Sequence, residues 1–338
     1  MGSTPAGSRP ATAVPGVVAE LADCLGGTVH LAYAQASGLE AVVAGFSRYE
    51  AQTRARALAR ATALDPLHRL PYDSPARPDA PRGRELRLAD FVPDPPEAVG
   101  LLVPGTGLVS GNRYRLPAEV VWLGERETQV EPVMTGVVDL GVAEAIAEII
   151  AHDVVSRWWA SPRRQPLLRV SAQLDRLLPA GVMAAASGLG LRVSAFALTG
   201  PDVRIAMVMV GGEGDTLGVA AGRTVRSAVG EAFLRAMAAK AQPWTALALT
   251  DALRRFAVWH REGDYAAHLE RLGVDAEPSL IGEPGDPRPS SWPEIAARRF
   301  GHEPVAVESG GTGVIVKVVC PGAACYRAVP ARLPCPIP

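Results

Sequence analysis

The chain has 338 residues, 48% of them hydrophobic and 20% charged, which is enough apolar material for a sizeable core and too much for a disordered chain. Its 34 Lys+Arg and 35 Asp+Glu leave a formal charge of −1, so no global basic field exists to hold nucleic acid or an anionic membrane. Four cysteines make no disulfide framework, the first residues lack the apolar centre of a signal peptide, and no apolar run is long enough to span a bilayer. The expectation is a cytoplasmic protein with no membrane or nucleic-acid partner.

Residues 1–15, rich in Pro, Ser and Gly, read as a flexible start. Val17–Leu25 then reads as a short helix, and Thr28–Tyr33 and Leu39–Phe46 as strands bounded by glycines. The Ala/Leu spacing predicts a helix over Tyr49–Leu64, closed by Asp65-Pro66. The prolines of 71–96 mark an irregular crossing. Strands are predicted at Val99–Val103, Arg113–Leu116 and Glu119–Leu123, with turns at Pro104-Gly105 and Gly111-Asn112.

The second half repeats this grammar. Val142–Trp159 is a long amphipathic helix, Leu167–Val170 a strand, and Ala172–Ser187 a helix closed by Gly188 and Gly190. Leu191–Leu198 and Val203–Val210 are paired apolar strands, and Val225–Ala241 is an Ala-rich helix ended by Pro243. Thr250–Phe256 and Gly263–Arg271 add helices, Val314–Val319 a last strand, and residues 331–338 a Pro-rich tail. The helices at 49–64, 142–159 and 225–241 share a lead-in of apolar strand and glycine. The fold class is α+β, one domain over 16–330, with internal duplication. The abundance of Ala, Gly and Arg, against only two lysines (Lys240 and Lys317), reads as genome composition.

The glycine clusters 105–107, 211–214 and 310–313 read as turns, since neither lysine stands in a phosphate-loop context and no cluster opens a helix. Cys320 and Cys325 form a lone C-x4-C without a nearby His, and with Cys335 read as incidental small residues rather than metal ligands. His152 and Asp153 point about 100° apart on their helix and do not readily ligate one ion, so a solvated or half-buried pair is expected. Glu148 lies on the Ala/Ile-rich side of the same helix, beside Ala145, Ile149 and Val155. A carboxylate there is costly to bury unless it is paired or binds a cation.

Five segments together resemble the YcaO family, in order and over nearly the whole chain. GFSRYEAQTRARALARATAL (45–64) resembles its first helix, ending E-x-x-E-R. GLVSGNRYRLPAEVV (107–121) resembles its hairpin, and TGVVDLGVAEAIAEIIAHDVVSRWW (135–159) its turn and helix ending E-x-x-E-R-D. GVAAGRTVRSAVGEAFLRAMAAKAQ (218–242) resembles its later helix, ending E-x-x-x-Q, and VIVKVVCPGAACY (314–326) its closing strand and turn. The last residues, Pro334, Pro336 and Pro338 in P-x-P-x-P, resemble the tail of the subgroup that makes azolines in ribosomal peptides.

The resemblance implies a YcaO-like fold of mixed sheets with long Ala-rich helices. It also implies ATP and Mg2+ held by helix carboxylates, and a tail that reaches the active site. In the first helix the family's E-x-x-E-R falls on Arg60, Ala63 and Leu64. In the second it falls on Glu148, Ala151 and His152, and in the third the glutamate falls on Ala238 while Gln242 keeps the glutamine. Thr135 stands where a serine-type nucleotide contact would be. The implied site is therefore Glu148 as metal ligand, with Gln242, Thr135 and Arg60 at the nucleotide and Pro334, Pro336 and Pro338 at the reacting centre. Two functions follow from the resemblance. One is an ATP-dependent cyclodehydratase that converts Cys, Ser or Thr of a precursor peptide to azolines with a ThiF-like leader-binding partner. The other is a catalytically inactive YcaO-like pseudoenzyme that scaffolds the complex beside an active paralogue. The resemblance also implies a homodimer.

Overall fold

Period-two apolar patterning early in the chain builds a three-stranded antiparallel sheet from β1 (Glu20–Cys24), β2 (Val29–Ala36) and β3 (Leu39–Gly45), and α1 (Arg48–Leu64) packs back across it. The computed structural model describes residues 20–36, 39–64, 83–91, 102–121, 136–138, 141–162, 165–212, 214–242, 255–256, 258, 264–277, 290–309 and 315–337. Next come β4 (Arg84–Glu85), β5 (Leu102–Gly107), β6 (Arg113–Pro117) and β7 (Gly136–Val138), then α2 (Val142–Ala160) and β8 (Leu167–Arg169). Two short helices, α3 (Leu174–Leu177) and α4 (Val182–Gly188), precede a meander of β9 (Val193–Thr199), β10 (Arg204–Val210) and β11 (Thr216–Gly222). The chain continues through α5 (Val225–Ala241), α6 (Tyr265–Leu272), β12 (Gly273–Asp275), α7 (Trp292–Phe300), β13 (Val305–Ser309) and β14 (Ile315–Val319). The other two sheets run β11-β10-β9-β8-β12 and β4-β6-β5-β13-β14-β7.

The five-stranded sheet is buried on both faces, which is why β9 and β10 read as unbroken apolar runs. Along β10, Ile205, Met207 and Met209 enter one core with α2 and the six-stranded sheet, while Ala206, Val208 and Val210 enter the other with α5. The α5 face is built of small residues. A Cβ on Gly218 would run into the backbone of Ala232, and one on Gly222 into Ser227 and Ala228. Ala228, Ala232 and Ala236, one turn apart and fully buried, let the helix approach that closely. The alanines that composition alone assigns to genome bias therefore have a packing role here.

Several expectations are corrected. Residues 20–24 form a strand rather than a helix: β2 offers their backbone a partner at every position, and Leu25, Gly26 and Gly27, all at positive φ, break the chain directly after Cys24. Pro104-Gly105 is not a turn but mid-strand. Gly105 is needed because a Cβ there would come within 2.7 Å of Leu116 and Val305. Ala118–Val120 is a 3-10 turn where a strand was expected, and 172–187 is broken at Pro179–Gly181, with Gly181 left-handed. Helix α7 and strands β12 and β13 were not anticipated. The predictions for 71–82, 92–101, 250–254 and 310–314 fall outside the described residues.

The Gly111-Asn112 turn is where expected, and Glu303 pins it. Its carboxylate accepts from the Val109 and Ser110 N–H groups (3.0 and 2.8 Å), the Ser110 hydroxyl (2.6 Å) and the Tyr114 hydroxyl (2.6 Å). Partial burial pushes this carboxyl up, but those donors outweigh it and hold it at about 2. A folded-state value below the ordinary one makes the contribution of Glu303 complete above about pH 4.5 and lost as pH falls through about 2. Urea midpoints from pH 7 to pH 2 should therefore drop less steeply for Glu303→Gln than for the parent; parallel curves would remove Glu303 from the acid response.

The tail is not the exposed appendage that its position suggests. Cys335 is fully buried and Ile337 is 6% exposed, both within the larger core. Trp159 Nε1 donates to the Pro334 carbonyl (3.0 Å) and the Tyr265 hydroxyl to the Pro336 carbonyl (2.7 Å). Arg255 donates to the carbonyls of Val329, Pro330 and Leu333. Asp153, expected to be solvated or half-buried, is also fully buried, and it holds the segment before the tail. Its carboxylate accepts from Ala324 and Cys325 N–H groups (2.9 and 3.3 Å), from Arg157 (2.9 Å) and from Arg299 (3.1 Å). Among the described residues no helix is long and apolar enough to cross a membrane.

Candidate functional site

Three helices each bring a polar stripe to one cluster, and α2 and α5 line a cavity of about 300 Å3 beside it, which α1 joins through the Arg54–Glu231 pair. The stripes follow from i,i+4 spacing, which stacks side chains on one helical face. From α1 come Glu50 and Arg54, from α2 Glu144, Glu148 and His152, and from α5 Ser227, Glu231 and Arg235. The start of α1 is held by Ser47, whose hydroxyl accepts from Glu50 N–H (3.1 Å), while the Glu50 carboxylate accepts from Phe46 N–H (2.9 Å). At the cavity rim the Arg223 guanidinium lies 4.4 Å from the ring centre of Trp292.

Within the cluster the carboxylates and guanidiniums alternate. Arg54 makes two parallel bonds to Glu231 (3.1 and 2.7 Å) and a third to Glu50 (2.9 Å). Arg235 pairs with Glu231 (3.3 Å) and Glu148 (3.2 Å). Burial pushes the Glu148 carboxyl up, yet the neighbouring Arg235 outweighs it and holds it below its ordinary value; Glu231 is held down in the same way by Arg54 and Arg235. Glu144, on the outer turn, is pushed up by burial. Burial lowers His152 to about 4, so its ring is neutral at pH 7.

Of the residues implied by the family resemblance, only Glu148 is in this cluster. Arg60 lies ten residues beyond Glu50, about 15 Å along α1, with its side chain outside the described residues. The cluster instead uses Glu50 and Arg54, which keep the first and last positions of the E-x-x-E-R spacing ten residues earlier, with the exposed Thr53 in place of the second glutamate. Gln242 lies about 16 Å along α5 from Glu231 and accepts from Val42 N–H (2.9 Å), tying the helix end to β3. The α5 carboxylate that reaches the cavity is Glu231, seven residues before Ala238. Pro334 docks on Trp159 at the far end of α2, about 16 Å along the helix from Glu148, and Pro336 on Tyr265 of α6. Thr135 and Pro338 lie outside the described residues. The missed residues had a signal: charged i,i+4 ladders on helices otherwise rich in Ala and Ile.

By sequence the chain matches no family model and no curated protein. By structure it is similar to solved proteins over most of its length. One is YcaO from Methanopyrus kandleri, solved with AMPPCP and Mg2+, with a TM-score of 0.60 and 18% identity, covering 94% of this chain and 89% of that one. Another is a chain of the E. coli microcin synthetase McbBCD complex, with a TM-score of 0.61 and 10% identity, covering 98% and 99%. A third is a heterocyclase solved with substrate and cofactor, with a TM-score of 0.59 and 12% identity; 87% of this chain matches 47% of that one, so it spans about half of that protein's length. The architecture defined by the mixed sheets and their three long helices is thus the YcaO fold.

The described residues of this cluster, as they stand, do not fit a magnesium ion. Mg2+ is a hard cation that takes carboxylate and phosphate oxygens in octahedral array. Among the described residues no three His, Cys, Asp or Glu side chains are placed to hold one metal ion. The carboxylates are also engaged elsewhere: Glu50, Glu148 and Glu231 are each bonded to a guanidinium, and Glu231 to two. Nor does a lysine reach the cavity, since Lys240 donates to the Gly214 carbonyl and Lys317 to that of Val121.

Proposed function

We propose that this chain is a non-catalytic YcaO-fold component of an assembly that converts Cys, Ser or Thr of a ribosomal precursor peptide to thiazole- or oxazole-type rings. Its partners in this reading are the precursor peptide and either an active YcaO paralogue or a ThiF-like leader-binding protein. The observation that carries the reading is the consumption of the cluster's charges by one another. Phosphoryl transfer needs anionic oxygens free to hold metal and cations free to balance the phosphates. Here Arg54 and Arg235 are bonded to Glu50, Glu148 and Glu231, so those three carboxylates are not free for a metal nor those two guanidiniums for phosphates, whereas a scaffold loses nothing by it. The fold shared with a microcin synthetase chain and a heterocyclase supports the pathway assignment.

A second reading, an ATP-dependent peptide cyclodehydratase, is favoured by the open cavity itself, with Arg223 and the first turn of α5 at one side and Glu148 at the other. Calorimetric titration of the folded protein with ATP in the presence of Mg2+ separates the two. No detectable heat is expected. Magnesium-dependent binding in the micromolar range would overturn the scaffold reading, and Glu148→Gln should then abolish ring formation in a reconstituted pathway.

A further inference from the structure

A second cavity, of about 420 Å3, opens between α2, α7 and the β9–β10 hairpin and shares no lining residue with the cavity beside the carboxylate cluster. Its volume falls within the ordinary range of small-ligand sites. Val154 of α2, Leu198 of β9, Val203 and Ile205 around the start of β10, and Ile295 of α7 make its walls apolar. Arg298 and Arg299, successive residues of α7, line it as well, and Asp202 is the one carboxylate among its lining residues. The lining therefore carries an excess of one positive charge. The Arg298 guanidinium donates to Asp202 (2.9 Å) and to the Ser290 hydroxyl (3.0 Å). Arg299 donates to the fully buried Asp153 (3.1 Å), which Arg157 also engages. Glu294, one turn before Arg298, is taken up at the start of α7, where it accepts from the Ser291 N–H and hydroxyl.

We infer that this cavity binds an aliphatic carboxylate, either a free acid or the C-terminal residue of a peptide, with the carboxylate on Arg298 and Arg299 and the hydrocarbon against Leu198, Val203, Ile205 and Ile295. A guanidinium carries five N–H donors, and the bonds above use two from Arg298 and one from Arg299, so each keeps donors for a ligand. The same bonds hold both side chains in place before a ligand arrives, which lowers the ordering cost of binding. A carboxylate fits the guanidinium fork, and its single charge balances the excess of the lining. A polyphosphate would bring several negative charges against that excess of one. The apolar walls, in turn, favour a ligand that has hydrocarbon to remove from water. This assignment goes beyond the scaffold reading and holds or fails separately from it, because the two cavities are lined by different residues.

The test is calorimetric titration of the full-length chain, without nucleotide or metal, using N-acetyl-alanyl-leucine, its C-terminal amide, hexanoate and acetate at matched salt. At least one of the two longer acids should bind with a dissociation constant below about 1 mM, and the amide and acetate should bind about tenfold more weakly or not at all. Tighter binding of the dipeptide than of hexanoate identifies a chain end as the source of the carboxylate; the reverse order identifies a free acid. Arg298→Gln should weaken the preferred acid about tenfold. Asp202→Asn should strengthen it, since it removes the one carboxylate that competes for Arg298 among the lining residues. Both side chains are well exposed, at 50% and 36%, so these variants should unfold close to the parent. No binding of either longer acid, an amide that binds as well as its acid, or full affinity in Arg298→Gln overturns the inference. The comparison of acid with amide uses the parent alone and decides the question even if a variant does not fold.

Discussion

Removal of residues 334–338 is expected to destabilise this protein by about 5 kcal/mol, read as a lower urea midpoint at pH 7. That figure combines loss of the buried Ile337 side chain, about 1.5–3 kcal/mol, with the smaller Cys335 and the void both leave behind. The Tyr265 hydroxyl also loses its acceptor, the Pro336 carbonyl, in a buried setting, for about 1–3 kcal/mol. Domain stabilities are commonly only 5–15 kcal/mol, so the truncated chain should be marginal at 37 °C. An unchanged midpoint would show that the segment does not hold the fold. The consequence for function is direct: loss of activity on tail truncation is not evidence that the tail touches a reacting group, because instability accounts for it. The informative variants are those at Pro334 and Pro336 that keep the carbonyl acceptors in place.

Asp153→Ala is the second large effect, expected to destabilise by about 3–5 kcal/mol. A fully buried carboxylate that accepts from two guanidiniums and two backbone N–H groups cannot be deleted without stranding those donors. Asp153→Asn should be milder, since one amide oxygen can still accept from Ala324 and Cys325. Asp153 and the tail secure the same closing segment, residues 320–337, against α2. Their effects should therefore be non-additive, with the double variant losing less than the sum of the two. Strict additivity in a denaturant-based double-mutant cycle would mean that the two anchors act on separate parts of the structure.

Glu148 and Asp153 show how one short run carries two tasks. They are five residues apart, about 140° around the helix, and so face different neighbours. Glu148 meets Arg235 across the cavity and Asp153 meets the loop before the tail. A helix read from sequence predicts that they diverge, but not what either one meets. The same holds for Glu231, whose partners are 177 residues away on α1 and four residues away on its own helix.

Element type was legible wherever local periodicity and tertiary demand agreed. Val225–Ala241 was predicted to the residue because its alanines and the following proline favour one helix, and in the structure Thr224 caps it at that point. The three long helices, the paired strands β9 and β10 and the Gly111-Asn112 turn are of this kind. So is the α+β class, and the motif order alone pointed to the YcaO fold. What the sequence could not determine was set by contacts between distant segments. β1 became a strand because β2 lay beside it, Gly105 stayed extended because Leu116 and Val305 crowd it, and Pro334–Ile337 became core because Trp159 and Tyr265 offer donors there. The cluster was decided the same way. Each helix announces a charged ladder, but a one-dimensional match can slide along an Ala-rich helix by several residues with little penalty, as it did to Arg60 and Ala238. Only packing of α1 and α2 against α5 selects the turns that meet, since charges neutralise one another over a few ångströms in space, at whatever separation along the chain.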